Sequence, residues 1–195
     1  MTNPVLETIR ARRSVRKYTG EPVPGDALEA IVEAGRWAPS GGNSQSAHFL
    51  VIKNAAVLAE LKALVMEEFR KMEIAPDTYA SLKSAILQSK RGKYDFLYGA
   101  PVLIVVANRR GYGNAMADSA AAIENMLLAA ASLGIGSCWI NQLRWLSDNE
   151  AVTAKLAALG IPESEVVCGG AVLGIPEGEP PRAVERKGNP VTVIV

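Results

Sequence analysis

The chain has 195 residues, 49% of them hydrophobic and 21% charged, with a formal net charge of +1. That length suits one domain burying roughly 70% of its unfolded surface, and that composition excludes a disordered tail. Near-neutral charge leaves no global field for nucleic acid or an anionic membrane, so cation-dependent chemistry must come from two local clusters, Arg10 to Lys17 and Arg182 to Lys187.

In chain order, Asn3 and Pro4 open a short helix, Asn as cap and Pro at the first helical position. No basic segment followed by an apolar run precedes it, so no secretory signal is expected. Asp26 to Glu29 reads as a capping box for a second helix, with Leu28, Ile31 and Val32 as its apolar stripe and Pro39 as its stop. His48 to Lys53 is a strand candidate, and a helix carrying Leu58, Leu61, Leu64 and Val65 follows. Residues 72–98 are polar, helical in parts and basic at Lys90 to Lys93, as in a lid or a surface excursion. Pro101 to Ala107 is apolar and largely β-branched, as expected of a strand covered on both faces. Asp118 to Leu133 is apolar nearly all round and predicts a buried central helix closed by Gly134.

Ser137 to Ile140 predicts a short strand, Ser147 to Glu150 a capping box for a helix ending at Gly160, and Val166 to Ile175 another buried strand. A Pro- and Gly-rich arm, Pro176 to Pro190, leads to a terminal strand, Val191 to Val195. Its uncharged, β-branched edge has to pair at home or on a partner subunit. Met126 to Ile140 is broken by Ser132, Gly134, Gly136 and Ser137, short of the ~18 apolar residues of a membrane span. Cys138 and Cys168 lie far apart in apolar runs and read as buried, inert thiols of a cytoplasmic protein. A single histidine, His48, excludes most zinc sites, argues against Ser-His-Asp chemistry, and is read as structural. Helices and strands mix without strict alternation, which indicates α+β and not a doubly wound sheet.

Four constellations carry chemistry. Arg12, Arg13, Ser14 and Arg16 offer forked donors and a short hydroxyl suited to a phosphate and a polar ring, although a charge run taken alone is usually solvated surface. Pro39, Ser40, Gly41, Gly42 and Asn43 form a small polar loop that lets backbone approach a ligand, or a plain turn. Gly134 to Asn141 has glycines reminiscent of a dinucleotide fingerprint. It follows a helix, however, and Trp139 stands where the third glycine belongs, so that reading is rejected. Arg182, Arg186 and Lys187 form a late basic group in the arm.

In this order and spacing the segments RRSVRKY, APSGGNSQ, YDFLYGAPVLIVVA, ENMLLAAASLGIGSCWI and GGAVLGIPEGEPP resemble the nitroreductase family of flavoproteins along nearly the whole chain. The resemblance implies an α+β fold, residues 1–195 as one domain, with a central mixed, mainly antiparallel sheet flanked by helices. It implies an intertwined homodimer with the C-terminal arm and strand, 176–195, exchanged, and a variable lid or substrate-pocket segment at 66–98. It implies FMN held by Arg12, Arg13 and Ser14 at the phosphate end, Arg16 at the pyrimidine edge, and Arg186 with Lys187 on the phosphate, Arg182 being less certain. Pro39, Ser40, Gly41 and Asn43 would lie across the flavin from the other subunit. The backbone at Ile140 and Asn141 would face N5, so chemistry falls to the flavin and no side chain stands out as a general acid. Tyr94 and Tyr112 are candidates to line the pocket, with no role assigned to either. The implied activity is ping-pong transfer from NAD(P)H to a small acceptor such as a nitroaromatic or quinone. Alternatives are flavin cleavage or reductive dehalogenation on the same fold, or a non-enzymatic phosphate- or nucleic-acid-binding module, against which the near-neutral charge counts.

Overall fold

The computed structural model describes residues 3–195. Its helices are α1 (Pro4–Ala11), α2 (Gly25–Arg36), α3 (Ala55–Lys71), α4 (Ala80–Lys90), α5 (Ala115–Ser132), α6 (Gln142–Trp145) and α7 (Glu150–Ala158). Its strands are β1 (His48–Ile52), β2 (Val102–Arg109), β3 (Gly136–Ile140) and β4 (Glu165–Gly174), in the order β1-β2-β4-β3. All three pairings are antiparallel, and the parallel component is one isolated bridge, Ser14 to Ser137. No helix among the described residues is long and apolar enough to cross a membrane.

The period of two in β2 divides the interior. Leu103, Val105 and Ala107 face a core built with α3, α4, α6 and α7, while Val102, Ile104 and Val106 face a second core under α2 and α5. Both faces being covered explains why the strand is apolar at every position up to Ala107. Close approach is needed where α5 crosses β4: a Cβ on Gly169 would stand 2.9 Å from Ile123 Cδ1. The segment 66–98 also feeds the interior, with Phe69, Ile86 and Phe96 fully buried.

Several boundaries differ from the sequence expectation. The Asn3 cap forms, its side chain accepting from Val5 and Leu6 N–H. At α2 the helix starts at Gly25, so Asp26 is already inside the first turn and no side-chain cap forms. At α7 the cap is Asn149, accepting from Val152 N–H, and not Ser147. The central helix begins three residues before Asp118, at Ala115, and α6 was not anticipated. Val191–Val195 forms no strand within the chain and is exposed, with Ile194 at 93%. Among the described residues that segment pairs with no strand of its own chain.

Candidate functional site

Two of the predicted groups meet at one edge of the sheet. Ser14 bridges Ser137, and Val15 N–H donates to the Ser137 carbonyl at 2.9 Å, so Arg12–Arg16 runs beside β3. Val15 and Tyr18, both buried, anchor the segment, and the Tyr18 hydroxyl donates to the Val15 carbonyl at 2.7 Å. The strand alongside ends at Ile140 and Asn141. The guanidiniums differ in their commitments. Arg12 Nε lies 3.7 Å from Glu124 on α5, and Arg13 turns back onto the carbonyls of Arg10 and Arg12. Arg16 is exposed, 5.8 Å from the centroid of Tyr98, a residue in left-handed backbone at φ 56°. Burial pushes the Cys138 thiol up, against the pull of nearby Arg16 and Ser14. The thiol thus stays protonated, as an inert core group does.

The loop at Ser40 to Gln45 sits elsewhere. It feeds β1, the opposite edge of the sheet, about 14 Å from β3 across three strand spacings. Its backbone is left-handed at Gly42 (φ 58°), Asn43 (φ 55°) and Gln45 (φ 45°), a strained run that needs outside support. Asp118, buried in the first turn of α5, provides it. Gly41 N–H donates to its Oδ1 at 3.1 Å, the Tyr112 hydroxyl to its Oδ2 at 3.0 Å, and Ser44 Oγ to Oδ2 at 3.4 Å. A Cβ at Gly41 would run into the Asn114 side-chain amide, which would have to move aside. A groove of about 590 Å³ lies beneath the loop, walled by Trp37, Pro39, Ser40, Asn43 and Asp118. No hydrogen bond or ion pair among the described residues joins this loop to Arg12–Arg16 or to Asn141.

Arg182, Arg186 and Lys187 are exposed on the arm, with Lys187 3.0 Å from Glu185. His48 Nδ1 lies 2.7 Å from Glu165 Oε2, tying β1 to β4. Asp118, Glu124, Tyr98 and Gln142 escaped the sequence reading, and Tyr112 had no assigned role. Only Asp118 left a trace, as a carboxylate near the start of an otherwise apolar helix.

Comparison with known proteins identifies the family. The nitroreductase family model matches residues 9–175. The chain belongs to the nitroreductase family. A nitroreductase of Bacteroides fragilis, solved with bound FMN, is 41% identical, with 99% of this chain and 100% of that one covered and a TM-score of 0.88. A Desulfitobacterium hafniense nitroreductase with bound FMN is 28% identical, covering 98% and 100%, with a TM-score of 0.82. A relative from Archaeoglobus fulgidus, described as a candidate NADH dehydrogenase/NAD(P)H nitroreductase, is 32% identical over 89% of this chain and 86% of its own.

Proposed function

We propose that two copies of this nitroreductase-family chain hold FMN between them and move reducing equivalents from NAD(P)H to a small oxidised acceptor. The residues present fit such a group. Arg12 and Ser14, with Arg13, Arg186 and Lys187, supply donors for a phosphate, and the exposed Arg16 supplies a fixed cation for the ring's pyrimidine edge. The observation that carries the two-subunit reading is the separation of the predicted halves. Arg12–Arg16 and Asn141 stand at the β3 edge, whereas the loop of Pro39, Ser40, Gly41 and Asn43, held by Gly41 N–H on Asp118, leads into β1 at the other. One chain's loop serves the other chain's strip. The exposed apolar residues Val5, Ile9, Trp37 and Val191–Val195 supply surface for that assembly.

FMN held there would supply two-electron redox chemistry between NAD(P)H and a nitroaromatic or quinone, in the ping-pong order proposed. The chain's own part is to hold and polarise: Arg16 stabilises negative charge on the ring's far edge, and the Asn141 N–H meets N5. Part of segment 66–98 would border the acceptor, held in place by its core residues Phe69, Ile86 and Phe96. The test is direct. Purified protein is expected to be yellow, to release FMN on denaturation, and to elute as a dimer. Its visible absorbance is expected to bleach on stopped-flow mixing with NADH or NADPH. Colourless protein that takes up no FMN sinks the cofactor assignment, and a flavin-loaded protein that neither donor bleaches sinks the hydride step.

A further inference from the structure

Asn141 is already engaged within its own chain. Its backbone N–H donates to Gln142 Oε1 at 3.0 Å, and Gln142 Nε2 donates to the Tyr94 hydroxyl oxygen at 2.7 Å. The order of these bonds is forced. A backbone N–H can only donate, so the amide oxygen must face it, which turns the amide nitrogen onto Tyr94. The remaining groups of Asn141 fix its frame: its carbonyl accepts from Trp145 N–H at 2.8 Å, and its Oδ1 from Trp139 Nε1 at 3.0 Å.

The far end of this chain of bonds is rigid. Gln142 is 7% exposed and Tyr94 8%, and burial pushes the Tyr94 hydroxyl up to about 12, so it stays protonated. Its ring packs against Phe69 with centroids 5.8 Å apart. The two bonds therefore link segment 66–98 to the backbone amide at the end of β3.

We propose that Gln142 is a positioning residue for the Asn141 N–H, anchored by Tyr94, and that the pair raises the reduction potential of the bound flavin. This rests on the reading above that places the Asn141 N–H at N5. An oxidised N5 accepts a hydrogen bond, whereas a reduced N5 carries a proton and donates one. A free N–H at that atom favours the oxidised form. An N–H drawn toward Gln142 Oε1 donates less to it, so the oxidised form loses part of that preference. Removing the amide oxygen restores full donation and lowers the potential.

The experiment compares wild type, Gln142→Leu, Tyr94→Phe and the double variant. The midpoint potential of FMN-loaded protein is read by equilibration with a reference dye. Gln142→Leu is expected to shift the oxidised-to-reduced equilibrium about tenfold toward oxidised, about 30 mV downward for a two-electron couple. Tyr94→Phe shifts it the same way by less, and the double variant matches Gln142→Leu because the two act in series. In flavin-free protein, hydrogen exchange at the Asn141 amide is expected to quicken about tenfold in Gln142→Leu. Where that variant does not fold, Gln142→Met is read in the same way. An unchanged potential, unchanged exchange, or additive effects of the two substitutions would overturn the proposal while leaving the FMN reading intact. Wild-type protein that binds no FMN overturns both.

Discussion

Replacing Asp118 by alanine removes the acceptor that holds the Ser40–Gln45 loop. Gly41 N–H loses a charge-assisted bond of 3.1 Å, a loss of about 1.5–3 kcal/mol. The Tyr112 hydroxyl, 3.0 Å from the carboxylate, is less affected because it turns to the Gly41 carbonyl at 3.1 Å, a net loss of about 0.5–1 kcal/mol. The sum is about 3 kcal/mol, which for a chain of this size lowers Tm by about 6–12 °C. Asp118→Asn keeps an oxygen for Gly41 and is expected to lose only about 1 kcal/mol. Urea unfolding followed by circular dichroism, at one protein concentration for all variants, measures both. Hydrogen exchange at the Gly41 amide separates loop release from general loosening. An Asp118→Ala variant within about 0.5 kcal/mol of wild type, with Gly41 still protected, would refute the claim that the carboxylate carries the loop.

Phe96→Ala, at a fully buried position, is expected to lose about 3–5 kcal/mol in the same urea titration. Glu124→Gln frees Arg12 from its 3.7 Å partner and is expected to tighten FMN severalfold under the proposed reading, read as a lower Kd in a fluorescence titration. In alkali, the unfolded Tyr94 ionises from pH 10 while the folded one holds its proton to about 12, so its contribution to stability is present below pH 10 and falls across that window. Tyr94→Phe is expected to flatten that limb of a Tm-against-pH curve.

How far the sequence could be read follows from the range of the interactions involved. β2 was legible because burial on both faces leaves an unbroken apolar run, and the Asn3 cap because its partners lie two and three residues away. The start of α5 was misplaced because Asn114 makes no side-chain cap and Asp118, the first acid, drew the boundary inward. A four-residue helix such as α6 is too short to show a period. The Asp118–Gly41 and Gln142–Tyr94 bonds span 77 and 48 residues, so no local spacing betrays them. Val191–Val195 has strand composition, but a strand also needs a neighbour, and composition cannot supply one.

The division of the interior by β2 bears on how such a chain can change over time. The core under α3 and α4 contains Tyr94 and Ile140, while the one under α2 and α5 packs Phe49 behind the Ser40–Gln45 loop. Volume can thus vary in one core without repacking the other. Substitutions such as Ile86→Val on one side and Met126→Leu on the other would accumulate with independent, additive costs in stability. One side of the sheet can therefore be repacked while the other stays as inherited.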